Sequence, residues 1–188
     1  MPRFALAAAL ALAASSASAQ APAPAASSAV APPPEARIGM VGNDGRTVGA
    51  VELFRAAGGV LMRFELTGLT PGWHAVHFHE TGDCSDARRF QRAGDVLSHG
   101  RTAHGLLNLA GAHAGDLPNV YAGADGSVRA EVLTARVRLG GSGSGLNLMD
   151  RNGSSLVLKA GPDDHVSQPL GGSGERIACG VIRASNRR

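Results

Sequence analysis

Along the chain, apolar residues fall in short runs separated by Gly, Asn and Asp, several of them alternating with polar positions, the period of a strand with one buried face. Residues 48–54 and 59–66 form two such β-compatible runs around the turn Arg55-Ala56-Ala57-Gly58, and residues 73–80 follow a turn at Thr70-Pro71-Gly72. Further runs occupy residues 127–137, 155–159 and 176–182. No long stretch carries a helical period with capping residues. From Ala36 onward the pattern predicts an all-β sandwich or barrel of short strands. One interval breaks the rhythm: residues 81–120 give no clear strand signal, yet hold Cys84, His104, His113 and Asp116. A loop of that length in a compact domain is usually functional or disordered, and its metal-ligating residue types favour function.

The N-terminus changes the picture of where this domain works. Residues 1–19 combine Arg3, an Ala/Leu-rich apolar run and the small-residue site Ala17-Ser18-Ala19, the pattern of a secretory signal peptide. Its apolar run is too short to span a membrane, and no later run reaches the ~18 residues a spanning helix needs. Residues 20–35, rich in Ala, Pro and Ser, read as a disordered tether, leaving residues 36–188 as one domain. The expected location is therefore periplasmic or secreted. The net charge of +3 comes from scattered arginines, a pattern that does not support nucleic-acid binding. In an oxidising compartment the two cysteines, Cys84 and Cys179, form a disulfide by default, a long-loop closure worth roughly 4 kcal/mol in the chain-entropy account.

The histidines supply the candidate chemistry. His77 and His79 flank Phe78 in a strand, so the period of two puts both imidazoles on one face, with His74 on the opposite parity. Two imidazoles one repeat apart can chelate one ion. His104, His113 and Asp116 form a second group in the long loop, and two imidazoles with a carboxylate suit zinc.

Three ordered segments then become specific. Residues Gly72-Trp73-His74-Ala75-Val76-His77-Phe78-His79-Glu80, Ala112-His113-Ala114-Gly115-Asp116-Leu117-Pro118-Asn119 and Pro169-Leu170-Gly171-Gly172-Ser173-Gly174-Glu175-Arg176-Ile177-Ala178-Cys179-Gly180-Val181-Ile182 resemble the signatures of the copper-zinc superoxide dismutase family in its bacterial periplasmic form. The resemblance implies an eight-stranded Greek-key β-barrel with long metal-binding loops. It also implies copper at His77 and His79, zinc at His104, His113 and Asp116, and a hydrogen-bonding role for Asp163 toward ligands of both metals. By the same resemblance Cys84 and Cys179 are the family disulfide, Arg176 guides superoxide, and a homodimer is the assembly many members adopt.

Two positions depart from that pattern. Aligning back from His104 puts Val96 or Asp95 where the family has a histidine bridging the metals, and Leu156-Val157-Leu158 is followed by Lys159 where it has another copper ligand. Valine cannot ligate, and an ammonium has no lone pair. His99 and His165 are the candidate substitutes. The expectation is an exported metal-binding protein with a largely kept zinc site and a degraded copper site. Two alternatives stand beside it: an active dismutase that recruits His99 or His165, with Arg88, Arg89, Arg92, Arg101 and Arg176 steering the anion, and a zinc hydrolase using an open zinc position.

Overall fold

Eleven β-segments arise among the described residues: β1 (Ala36–Gly42), β2 (Thr47–Ala56), β3 (Gly59–Leu66), β4 (Gly72–His74), β5 (Val76–His79), β6 (Val120–Ala122), β7 (Val128–Thr134), β8 (Val137–Arg138), β9 (Leu146–Asn147), β10 (Ser154–Lys159) and β11 (Arg176–Ile182). The structure, a computed structural model, describes residues 32–184 except residue 101. The expected signal peptide, residues 20–31 of the expected tether, and Arg101 lie outside the described residues.

Seven strands form one antiparallel sheet in the order β5-β10-β11-β1-β2-β3-β7, while β4 pairs with β6 and β8 with β9. Sheet twist curls the long sheet. Its two ends approach through the small β4–β6 pair, since β4 runs into β5 after one residue and β6 lies against β7. With β4 and β5 taken as one kinked strand, and the two-residue β8 and β9 set aside, the main strands number the expected eight. The kink has a local cause: the Ala75 amide donates to Gly161 O at 2.9 Å, outside the strand ladder.

The runs at residues 59–66 and 176–182 coincide with β3 and β11, and residues 48–54 lie inside the longer β2. Residues 127–137 divide into β7 and β8. The short β6 begins at Val120, where the interval without a strand signal ends, and is supported by pairing with β4.

Parity in β5 and β10 builds the site. Val76, Phe78, Leu156 and Leu158 point into the main apolar core with Met40, Leu53, Met62, Phe64 and Leu117. Opposite them, His77 pairs with Val157 and His79 with Ser155, so these residues share the outer face, under the loop of residues 80–119. That loop is fixed at three points. Cys84 is disulfide-bonded to Cys179 with a Cα–Cα distance of 5.9 Å. Phe90 and Ala93 pack on Val157 and Cys179 in a second apolar cluster. Arg176 donates to Phe90 O at 2.6 Å and to Gly94 O at 2.9 Å.

Candidate metal centre

The outer face of β5 presents two imidazoles whose protons are already committed. His77 Nε2 lies 2.8 Å from Asp163 Oδ2, which leaves its buried Nδ1 with no partner. His79 Nδ1 donates to Gly94 O at 2.9 Å and leaves its buried Nε2 equally unpartnered. Burial pushes the pKa of both rings down, that of His79 well below the ordinary value with Arg176 adding to the shift, so both carry a free lone pair near neutral pH. Buried polar atoms in folded proteins almost always find partners. Two orphaned imidazole nitrogens from one strand face therefore fit a cation.

His74 plays a different part. Its ring contacts Lys159 O at 2.8 Å and Thr70 O at 2.7 Å, so it ties the end of β10 to the turn before β4.

A second donor set converges on Asp116. Its Oδ2 accepts the backbone amides of Gly105 at 2.8 Å and His113 at 2.9 Å. Its Oδ1 is left for His104 Nδ1 at 2.8 Å and His113 Nδ1 at 3.7 Å. His113 Nε2 contacts Thr102 O at 3.0 Å, leaving Nδ1 buried and unpartnered. Tetrahedral zinc with ligand bonds of about 2.0–2.1 Å separates its donors by roughly 3.3 Å. The two contacts to Oδ1, at 2.8 and 3.7 Å, bracket that spacing. Ligand atoms of His77, His104 and Asp116 also lie within 4.8 Å of one another. His77 is already tied to Asp163 through Nε2, so it stands at the junction of the two sets, and His113 completes the second.

Asp163 joins them. Its buried carboxylate meets His77 Nε2 at 2.8 Å and His104 Nε2 at 3.0 Å, and accepts the His165 amide at 2.7 Å. Burial alone would raise its pKa, but these contacts overcome it and hold the group well below the usual carboxylate range. Asn119 clamps the backbone of Asp163 on both sides, donating to its O at 2.8 Å and accepting from its amide at 2.9 Å. A Cβ on Gly171 would strike the Asp163 carboxylate, and its φ of 60° is the left-handed conformation glycine tolerates.

The other side of His77 is cationic. Val96 is buried and bridges to His79 in antiparallel register. Lys159 is 2% exposed and lies at a register shift opposite Arg176. Burial, then Arg176, lower its pKa to about 8 against the pull of Asp163.

The profile of the family described as copper/zinc superoxide dismutase (SODC) matches residues 47–182. This chain belongs to that family. It is 50% identical over 140 residues to "Superoxide dismutase [Cu-Zn]" of Caulobacter vibrioides, covering 74% of this chain and 80% of the relative. Among solved structures, a SOD-like protein from Bacillus subtilis superposes with a TM-score of 0.73 at 34% identity, covering 78% of this chain and 97% of the other. The copper/zinc superoxide dismutase of Brucella abortus gives a TM-score of 0.63 at 31% identity, covering 79% and 99%.

Family membership implies copper and zinc as the metals concerned, and contacts link His77, His104, His113, Asp116 and Asp163 in one chain, with His79 beside His77 on the same strand face. The two candidate substitutes do not meet the β5 imidazoles in the same way. His99 is exposed. His165 sits on the Asp163 side, its Nδ1 3.7 Å from Asp163 Oδ1 and its Nε2 3.3 Å from Asn119 Nδ2. Sequence reasoning assigned no task to Asn119, Gly94 O, Thr102 O or Gln168, whose Oε1 and Nε2 bracket the His104 backbone. Backbone carbonyls carry no signature in the sequence. Asn119 had one available signal, its place in the family segment ending Leu117-Pro118-Asn119.

Proposed function

We propose that this protein is an exported metal-binding member of the copper/zinc superoxide dismutase family that keeps a zinc site and has lost most of its dismutation. Zinc is held by His104 Nδ1, His113 Nδ1 and Asp116 Oδ1, with Asp163 orienting His104. Copper, whose one-electron cycling is the chemistry that dismutation of superoxide requires, has two firm nitrogens here, His77 Nδ1 and His79 Nε2. The observation that carries this reading is the pair Val96 and Lys159: an apolar group and a buried ammonium complete the copper side where nitrogen donors are needed. An ammonium repels a cation and donates no lone pair. Export is supported by the leader pattern of residues 1–19.

The deciding experiment loads the purified protein with copper and zinc, desalts it, and measures metal content and superoxide consumption on the same sample. One zinc per chain, substoichiometric copper and no consumption above that of buffer protein are expected. Stoichiometric copper with fast dismutation would overturn the proposal. That outcome is the second reading, an active dismutase with His165 or His99 recruited, and the observation favouring it is the 50% identity to a relative named a superoxide dismutase.

A further inference from the structure

The mouth of the copper side holds groups that metal binding does not use. A cavity of about 600 Å³ opens over the end of β10, lined by Lys159, Arg176, Arg88, Arg89, Gln91 and Glu175 among others. Four cationic side chains face one carboxylate there, so the cavity attracts anions. Its size selects among them: a diatomic anion would occupy a small fraction of the space, whereas cavities of ~300–1,000 Å³ suit organic ligands. At its wall stands the only lysine of the chain, 2% exposed yet lining the cavity, and no hydrogen bond or ion pair engages its ammonium among the described residues. A secluded lysine beside a fixed cationic group is the arrangement that carbonyl condensation uses.

We propose that this cavity binds a small organic anion bearing an aldehyde or ketone, which Lys159 captures as an imine. Arg176 is immobilised by its bonds to Phe90 O and Gly94 O, and with Arg88 and Arg89 it holds the carboxylate or phosphate. The lone pair of the neutral Nζ forms a bond to the carbonyl carbon. The carbonyl oxygen then leaves as water with both amine protons, and C=N replaces C=O without oxidant or reductant. Capture uses none of the metal-ligating side chains and is read at Lys159 itself, so its failure is distinguishable from failure of the metal-binding proposal.

The test uses the purified full-length protein with pyridoxal 5′-phosphate as the anionic aldehyde and pyridoxal as its counterpart lacking the phosphate. Each incubation is trapped with borohydride, and the adduct is located by peptide mass spectrometry. The α-amino group is the only other aliphatic amine and serves as the internal control. At Lys159 the phosphate-bearing probe is expected to react about tenfold faster than pyridoxal, a preference of about 1.4 kcal/mol. That preference should be absent at the α-amine, suppressed by excess inorganic phosphate, and reduced in Arg88→Gln/Arg89→Gln. Labelling confined to the α-amine, or equal rates for the two probes at Lys159, would overturn the proposal.

Discussion

On either side of His77 the barrel wall presents opposite electrostatics. Toward the loop of residues 104–116, two buried carboxylates, Asp116 and Asp163, share three histidines and leave donor atoms converging on Oδ1 of Asp116. Toward the end of β10, Lys159 and Arg176 act as positive charges on the β5 histidines, and buried Val96 bridges to His79. The number of imidazoles is nearly equal on the two sides. What differs is the compensating charge, and a divalent cation needs both a lone pair and negative charge near it. Donor count alone therefore does not set the two sides apart; charge does.

The contrast breaks most completely if the acidic side is emptied. His104→Ala/His113→Ala/Asp116→Ala should abolish stoichiometric zinc, a loss of roughly a thousandfold or more in affinity, while His77→Ala/His79→Ala retains it; metal analysis after desalting distinguishes them. Retained zinc in the triple variant would remove the basis of the comparison. Asp163→Asn tests the link between the sides. It should weaken zinc binding by about 10–100-fold and lower the melting temperature of the metal-free protein, because the two ring contacts lose their charged partner.

Titration of Lys159 sharpens the cationic side. Its folded pKa is about 8 against 10.5 for an ordinary lysine. Between those values the unfolded chain holds a proton that the folded chain has released, so stability rises with pH across that window. Below about pH 8 the cost of burying the charge is fully present, at most about 3 kcal/mol. Denaturant titrations of the zinc-loaded protein from pH 7 to 10 should show that rise, and Lys159→Met should flatten it. The smallest expected effect is on copper. Lys159→Met removes one positive charge and should raise copper affinity by about tenfold without restoring dismutation, as read by competition with a chromogenic chelator.

Much of this was legible beforehand because period two is a geometric rule. It placed His77 and His79 on one face, set His74 apart, and located β3 and β11 within their true bounds. The family resemblance assigned zinc roles to His104, His113 and Asp116, which local pattern alone could only nominate, and only His113 and Asp116 lie inside its quoted segments. The sharing of Asp163 between His77 and His104 was not legible from spacing, since those contacts span 86 and 59 residues and depend on how the curled sheet brings loops together. The identity of the free nitrogen on each ring was hidden as well, being decided by Gly94 O and Thr102 O. The bulge between Leu158 and Lys159 turns on one shifted pairing that no composition signal marks.

The double attachment of Asp163 has a consequence for how such a protein can lose function. A replacement at residue 96 or 159 harms one side of the wall and leaves the other standing. A replacement at Asp163 releases His77 and His104 together, so a single mutation there is pleiotropic. A lineage that drifts away from redox chemistry while still under selection for a folded metalloprotein can thus discard the positions around Lys159 one at a time, but it cannot discard this carboxylate.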